Sequence, residues 1–180
     1  MDQICLFHRN ARLVPYTDEY NGKTVEWLNN HLLQYSFGLS RSVSIEAHIE
    51  WLSLQKDYLL WAILNRENVH VGNVSLKLNL KHLSAYFQIY LGDEKVRGAG
   101  LGWSSLISVL EYAFVGRNLN RVWLHTFLDN KVAINLYKKA GFIQEGIERA
   151  AIFRNGRFED QLRWSLLQQE WNTKRDGVFR

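Results

Sequence analysis

A glycine cluster in the middle of the chain has a spacing that could serve ligand binding. It consists of Arg97, Gly98, Ala99, Gly100, Leu101 and Gly102. Glycines let a backbone turn tightly and approach a ligand closely, and the first N–H groups of a following helix have no partners inside that helix. Together with the helix dipole, such groups bind a phosphate or a pyrophosphate. The cluster therefore predicts an anion-binding loop, with the Arg97 cation beside it.

Three phosphate-binding patterns compete for this cluster. A P-loop requires Lys followed by Ser or Thr after its last glycine, whereas Trp103 and Ser104 follow here. A dinucleotide-binding fingerprint has the spacing GxGxxG directly after a strand, whereas this cluster has GxGxG behind a charged loop. The third pattern, Arg-x-x-Gly-x-Gly, fits Arg97, Gly100 and Gly102. A glycine-rich helix start without any ligand is the alternative interpretation.

A second pattern follows downstream of the cluster. It consists of Asn130, Ala133, Leu136, Tyr137, Lys139, Gly141 and Phe142. Together, the two patterns resemble those of the GNAT acetyltransferase superfamily, whose pyrophosphate loop is Arg/Gln-x-x-Gly-x-Gly/Ala. The family's downstream signature is Asn-x-x-Ala-x-x-Leu-Tyr-x-Lys-x-Gly-Phe. The resemblance implies an N-acetyltransferase that transfers acetyl from acetyl-CoA directly to a primary amine, without an acyl-enzyme.

The resemblance also implies roles for individual residues. Backbone N–H groups near Tyr90 or Leu91 would hold the thioester oxygen, and those of the glycine cluster would hold the pyrophosphate. Asn130 would contact the pantetheine arm or cap its helix. Tyr137 would be the general acid at the sulfur, because a phenol with its usual pKa of about 10 is protonated at neutral pH. The alternative for Tyr137 is a core aromatic.

His125 is the candidate for the general base. Some family members that acetylate protein N-termini carry a catalytic glutamate at the matching place, and an imidazole could accept the amine's proton there. An ordinary strand histidine is the alternative. The resemblance places the acceptor amine between the two N-terminal helices and near the last hairpin. The candidate substrate residues are Tyr35, Phe37, Arg41 and Arg154, each with a structural role as its alternative.

The acceptor amine is less well defined by the sequence. Two subgroups of the family are similar to this chain, one acting on nucleotide-linked amino sugars and one on N-terminal amines of ribosomal proteins. The net charge of +4 suits a nucleotide diphosphate, and Tyr35 and Phe37 could stack on a ring. We therefore favour the amino sugar, with a ribosomal N-terminus or a polyamine as alternatives. A non-catalytic acyl-CoA-binding regulatory module is a further alternative, against which the intact Tyr137 argues.

Composition limits the class of protein. The 180 residues fit a single domain over 1–180 with a polar tail at 171–180, and 47% hydrophobic residues supply a core. The single cysteine, Cys5, excludes an internal disulfide, and scattered histidines give no metal-ligand spacing. Without a membrane-length apolar run or a concentrated basic face, we expect a cytoplasmic protein with no membrane or nucleic-acid partner. A homodimer is left open.

The elements that must position these residues follow from apolar periodicity. Helices are predicted from 18 to about 30 behind Thr17, from 45 behind Ser44, over 103–114, and from Asn130 to Gly141. Strands are predicted at 11–14, 58–64, 69–78, 85–91, 121–127, 142–151 and 158–166. This order indicates an α/β fold with a mixed sheet of about seven strands and about four helices. The resemblance implies that the sheet is splayed between its fourth and fifth strands.

Overall fold

An eight-stranded mixed sheet forms the centre of the computed structural model, which describes residues 4–37, 39, 41–154 and 156–178. The strands are β1 (Leu6–His8), β2 (Ala11–Pro15), β3 (Tyr58–Leu64), β4 (His70–Asn79), β5 (Ser84–Leu91), β6 (Arg121–Phe127), β7 (Ile143–Arg154) and β8 (Arg157–Leu167). Their order in the sheet is β1-β2-β3-β4-β5-β6-β8-β7. Neighbouring strands of this sheet are antiparallel, except for the parallel pair β5 and β6. The mixed α/β architecture predicted from the sequence is confirmed.

Six α-helices flank this sheet in the described chain. They are α1 (Asn21–Leu28), α2 (His31–Phe37), α3 (Ile45–Ser53), α4 (Leu101–Glu111), α5 (Lys131–Ala140) and α6 (Gln168–Val178). Helix α1 contacts α2, α3 and β4, whereas α4 packs on β1, β2, β5 and α5. The two groups of helices cover different faces of the sheet.

Side-chain alternation gives the two faces different characters. One face carries Phe87 of β5, Leu124 of β6 and Trp164 of β8, all of which are buried in the hydrophobic core with α4 and α5. We call it the core face. The other face carries Tyr86 and Tyr90 of β5, and we call it the tyrosine face. Helices α1, α2 and α3 cover the β3–β5 part of this second face.

The sheet opens between β5 and β6. These parallel strands pair only at Ser84↔Arg121, Ala85↔Val122 and Tyr86↔Trp123 in the described register. From Phe87 to Leu91, β5 continues beside β4 and diverges from β6. The fourth and fifth predicted strands correspond to β5 and β6, because β1 precedes the first predicted strand. The splay expected between them is therefore confirmed.

Two predicted elements follow directly from local sequence signals. The apolar run of β3 begins and ends at the predicted residues, 58 and 64. Helix α5 begins behind Asn130, whose Oδ1 accepts a hydrogen bond from the Ala133 N–H at 3.1 Å. It ends at Gly141, which has a φ of 97° in the left-handed region that favours glycine. Capping thus sets both ends of the helix that carries Tyr137.

The N-terminal helix differs from its prediction. Thr17 makes no side-chain cap, and its hydroxyl donates to Glu19 Oε1 at 2.9 Å instead. The chain forms a 3₁₀ turn at Asp18–Tyr20 before α1 begins. Strand β1, helix α2 and helix α6 were not predicted.

The C-terminal segment also differs from the expected polar tail. Residues 171–178 belong to α6, and Trp171 is fully buried in the core. Residues 1–3 and 179–180 of the expected single domain lie outside the described residues, and the domain assignment stays a prediction.

Candidate functional site

The glycine cluster lies between the end of β5 and the start of α4. Gly98 and Gly100 have φ values of 82° and 77°, a conformation that side chains with a Cβ rarely adopt. Gly100 caps α4, and its carbonyl accepts the N–H of Ser104 at 3.0 Å as the first helical bond. The amides of the first turn, before Ser104, therefore have no partner inside the helix and can bind an anion.

The N-terminal hairpin braces this loop. Asn10, in the turn between β1 and β2, donates through Nδ2 to the carbonyl of Ala99. Its Oδ1 accepts the hydroxyl of Ser104, which is 1% exposed. The Asn10 side chain therefore fixes the backbone before Gly100 and the helix turn after it. Sequence reasoning missed Asn10, because no local signal connects it to a loop some ninety residues away.

Positive charge lies beside the first turn of α4. The Arg97 guanidinium is half exposed and lies 3.4 Å from Glu94 Oε1. On α5, the Lys139 ammonium lies 4.5 Å from the centre of the Trp103 ring. Both cations are placed to attract an anionic ligand that enters between α4 and α5.

The backbone N–H groups at the end of β5 point alternately toward β4 and toward the splay. Gly92 N–H donates to the Val71 carbonyl at 2.9 Å. Because hydrogen-bonded pairs alternate along an antiparallel ladder, Tyr90 also directs its N–H to β4. Ile89 and Leu91 direct theirs toward the splay. Of the two amides predicted to hold a thioester oxygen, the position of Leu91 is the suitable one.

Tyr137 lies on α5 against the core face. Its ring is 5% exposed and contacts Phe87 and Phe142, with ring centres 6.2 and 5.5 Å apart. Burial raises the pKa of Tyr137, and the electrostatic influence of Tyr86 raises it further. Its hydroxyl forms no hydrogen bond within the described chain. A protonated phenol with an available donor therefore lies beside Phe87, the first residue of the splay.

Tyr86 lies at the end of the pairing between β5 and β6, where the splay begins. It lies on the tyrosine face beside Trp123 and His125, with ring centres 4.6 and 5.6 Å away. Burial raises the pKa of Tyr86, a hydrogen bond with the Gln88 side chain lowers it, and the charge of Glu148 raises it. Sequence reasoning missed Tyr86. Its alternation with Tyr90 on a predicted strand was the available signal.

His125 lies on the tyrosine face, as strand alternation predicts. Leu124 is fully buried on the core face, and the Thr126 hydroxyl accepts a hydrogen bond from the Trp164 indole at 2.9 Å. His125 Nε2 lies 3.1 Å from Glu148 Oε2, although the contact lacks hydrogen-bond alignment. His125 and Tyr137 therefore lie beside the splay on opposite faces of the sheet.

A cavity of about 410 Å³ adjoins the splay on the tyrosine face. Its lining combines apolar, aromatic and neutral polar side chains from α1, the end of α2, the α2–α3 segment, α3 and β3–β5. The lining residues are Thr24, Leu28, Phe37, Leu39, Val43, Ala47, His48, Trp51, Tyr58, Leu60, Asn73, Val74, Ser75, Gln88 and Tyr90. Phe37 contacts Tyr90 edge to face, with ring centres 5.3 Å apart. Two of the predicted site residues therefore meet at this cavity.

The other candidate substrate residues lie elsewhere. The Arg154 guanidinium is 4% exposed and stacks between Tyr35 and Phe127, 3.6 and 3.5 Å from the ring centres. It also donates through Nε to Glu159 at 2.7 Å. Arg41 is exposed between α2 and α3. Arg154 and Tyr35 therefore hold the last hairpin against α2, and their substrate contact stays a prediction.

The described residues contain no group of three or more His, Cys, Asp or Glu side chains arranged to hold a metal ion. Helices long and apolar enough to cross a membrane are likewise absent from the described part of the chain.

Comparison with known proteins gives sequence relatives among N-acetyltransferases. Spermidine N(1)-acetyltransferase of Vibrio cholerae is 35% identical over 102 residues, which are 56% of this chain and 58% of that protein. The putative ribosomal N-acetyltransferase YdaF of Bacillus subtilis is 30% identical over 101 residues, which are 56% of this chain and 55% of that protein. The chain thus spans little more than half the length of these curated relatives.

The fold has solved counterparts. The crystal structure of spermidine N-acetyltransferase from Vibrio cholerae in complex with CoA and spermine superposes with a TM-score of 0.84 at 24% identity. The superposition covers 91% of this chain and 98% of that one. Residues 11–143 match the family described as the acetyltransferase (GNAT) domain. With both signatures, the splayed sheet and this match in agreement, the chain belongs to the GNAT acetyltransferase family.

Proposed function

We propose that this protein transfers the acetyl group of acetyl-CoA directly to a primary amine. The observation that carries the proposal is the position of Tyr137. Its buried phenol has no hydrogen-bond partner among the described residues and lies beside the splay between β5 and β6. A donor so placed suits the sulfur of a thioester that enters the splay.

The first turn of α4 is the proposed site for the pyrophosphate of coenzyme A. Its amides, the left-handed Gly98 and Gly100, and the Arg97 cation together suit a doubly charged group. From there, the splay leads past the N–H groups of Ile89 and Leu91. These amides are suited to polarise a thioester carbonyl by hydrogen bonding.

The proposed reaction requires two proton movements. The neutral amine attacks the carbonyl carbon, a C–N bond forms, the C–S bond breaks, and the leaving sulfur takes a proton from the Tyr137 hydroxyl. The amine proton passes to His125, directly or through a water. His125 lies beside Tyr86, the last residue of β5 that pairs with β6 before the splay. Acid and base would thus act from opposite faces of the sheet.

A thiol-release assay with acetyl-CoA tests the proposal. The panel consists of nucleotide-linked amino sugars, polyamines and N-terminal peptides, with Tyr137→Phe as the control for enzyme-dependent release. We expect release with at least one amine and a strongly reduced rate in the variant. Tight acetyl-CoA binding without release from any amine would favour the regulatory module instead.

The acceptor has three candidates. The nucleotide-linked amino sugar favoured by the sequence stays a prediction. The relatives named as spermidine N(1)-acetyltransferases fit a polyamine better than the amino sugar, and the relative named as a putative ribosomal N-acetyltransferase keeps a protein N-terminus as the third candidate. The homodimer also stays a prediction, which light scattering on the purified protein would test.

A further inference from the structure

We infer that the cavity on the tyrosine face binds an amine carried on an uncharged ring, and that a polyamine is a poor acceptor. This inference rests on the proposed acetyl transfer and specifies its acceptor.

The cavity offers no charge to a second ammonium group. None of its described lining residues is Asp, Glu, Lys or Arg. The three ionisable groups that line it, His48, Tyr58 and Tyr90, are held neutral at pH 7. Burial lowers the pKa of His48 and raises the pKa of both tyrosines. A polyamine placed here would bury ammonium groups without carboxylate partners, which is strongly unfavourable.

Aromatic side chains supply flat surfaces for a ring. Phe37 and Trp51 line the cavity, and Trp51 is itself oriented by contacts with His48 and Tyr58. Rings with an apolar face pack well on such side chains, whether the ring is aromatic or a saturated sugar. A cavity of about 410 Å³ is of the size that small-molecule sites have.

Neutral polar groups provide orientation. The Asn73 amide donates to Thr24 Oγ1 at 2.8 Å and to the Tyr90 hydroxyl at 2.6 Å, and its Oδ1 lies 2.8 Å from His70 Nε2. Asn73 is thus fixed on three sides, and Tyr90 is held in place with it. Such a satisfied network presents this wall of the cavity in one fixed arrangement.

The cavity is connected to the reacting centre at one end. Gln88 lines the cavity, and it lies on β5 just beyond Tyr86, where β5 continues beside β4 and diverges from β6. An amine on a ring held in the cavity would therefore point past Gln88 toward the splay. Charged parts of a larger acceptor, such as a diphosphate, would lie outside the uncharged cavity.

Acceptor preference tests the inference. The probes are phenethylamine, an amino sugar, the same sugar linked to a nucleotide diphosphate, and spermidine, each with saturating acetyl-CoA. We expect kcat/KM for the best ring amine to exceed that for spermidine by tenfold or more. The linked and unlinked sugars distinguish whether the nucleotide adds binding outside the cavity. Higher kcat/KM for spermidine would overturn the inference and leave acetyl transfer intact.

A charge introduced into the cavity gives a second test. Gln88→Glu and, on the opposite wall, Ala47→Glu each add a carboxylate, and Gln144→Glu adds one at an exposed position of β7. Both cavity variants should shift the kcat/KM ratio of spermidine to ring amine upward by about tenfold. The β7 variant should leave this ratio unchanged. An unchanged ratio in both cavity variants, or an equal shift in all three, would overturn the inference.

Calorimetry separates the inference from the proposed reaction. Binding of the ring amine and of spermidine to the intact protein, in the presence of coenzyme A, needs no turnover. If no amine releases thiol, the acetyl transfer fails, and tighter binding of the ring amine still supports the cavity assignment. Tighter binding of spermidine would overturn it.

Discussion

At the scale of single residues, the hydroxyl of Tyr137 determines whether the proposed chemistry can occur. Tyr137→Phe keeps the ring and its contacts with Phe87 and removes only the proton donor. We expect kcat to fall about 10²–10⁴-fold. Acetyl-CoA affinity, measured by calorimetry, should barely change.

A matched variant controls for loss of a buried tyrosine hydroxyl. Tyr112 is also buried in the core, away from the splay and packed on Trp61. Tyr112→Phe should keep kcat near the wild-type value. Because the pKa of Tyr137 is raised, its phenol stays protonated even above pH 10. We therefore expect no decrease of kcat from deprotonation of Tyr137 at lower pH. A Tyr137→Phe enzyme with unaltered kcat, under conditions where chemistry limits turnover, would remove Tyr137 from the mechanism.

The proposed base is tested through pH. His125→Gln keeps a polar side chain on the tyrosine face but cannot accept a proton from the amine. We expect kcat/KM to fall at least tenfold at neutral pH and to recover in part as pH rises, because more of the amine is then already deprotonated. Two parallel pH profiles of similar height would leave proton removal to water.

The sequence predicts on which face of the sheet some site residues lie, but not which residues they contact. Side-chain alternation along β6 correctly places His125 and Leu124 on opposite faces of the sheet, because that rule needs only neighbouring residues. The burial of Arg154 depends on Tyr35, which is 119 residues away in the chain, and could not be anticipated. The same holds for Asn10 at the glycine cluster. Local rules do not specify contacts between distant segments.

At the scale of elements, the loop that enters α4 should control cofactor affinity. Gly100→Asp places a negative charge at the proposed pyrophosphate site, and Gly100→Asn has the same shape without the charge. Both Asp and Asn tolerate the left-handed backbone better than most residues. We expect acetyl-CoA affinity to fall at least tenfold, about 1.4 kcal/mol, in the Asp variant. The Asn variant should lose clearly less acetyl-CoA affinity than the Asp variant.

Gly156 supplies the control for backbone strain. It has the same φ of 77° as Gly100 and lies in the β7–β8 hairpin with no atom near its potential Cβ. Gly156→Asp should therefore leave acetyl-CoA affinity unchanged. Calorimetry on folded variants measures all three. Equal affinities for Gly100→Asp and wild type would exclude the cluster as the anion site.

Elements with strong local signals were predictable, and others were not. The apolar run of β3 and the Asn130 and Gly141 caps of α5 fix their own boundaries. Helix α6 is largely polar and is held by the fully buried Trp171, a tertiary contact that periodicity does not reveal. Strand β1 is only three residues long and exists through its pairing with β2.

At the scale of the whole molecule, an ion pair ties together three strands beyond the splay. Two N–H groups of Arg121 on β6 donate to the carboxylate of Glu145 on β7 at 2.6 and 2.5 Å. Ser165 on β8 donates to the same carboxylate at 2.9 Å. The hydrogen bonds from Arg121 hold the pKa of Glu145 at about 2, although partial burial opposes this shift.

This lowered pKa makes stability depend on pH in a defined direction. The contribution of Glu145 is complete above the carboxyl's ordinary pKa of 4.5 and is lost as pH falls toward 2. Glu145→Gln should cost about 1 kcal/mol at pH 7, a value limited by the partial exposure of the pair, and almost nothing near pH 2. Denaturant unfolding at both pH values measures the difference. Glu67→Gln, which removes an exposed loop carboxylate, is the matched control variant.

The short parallel seam between β5 and β6 has a consequence for how the molecule moves. Strands β1–β5 come from one continuous stretch of chain and β6–β8 from another, so each half keeps its own ladders when the three seam pairs separate. Local opening of the sheet along this seam would therefore leave both sets of ladders intact. A ligand bound in the splay would contact both halves and hold them together. Binding there would stabilise the fold by an amount that grows with the ligand concentration relative to its Kd.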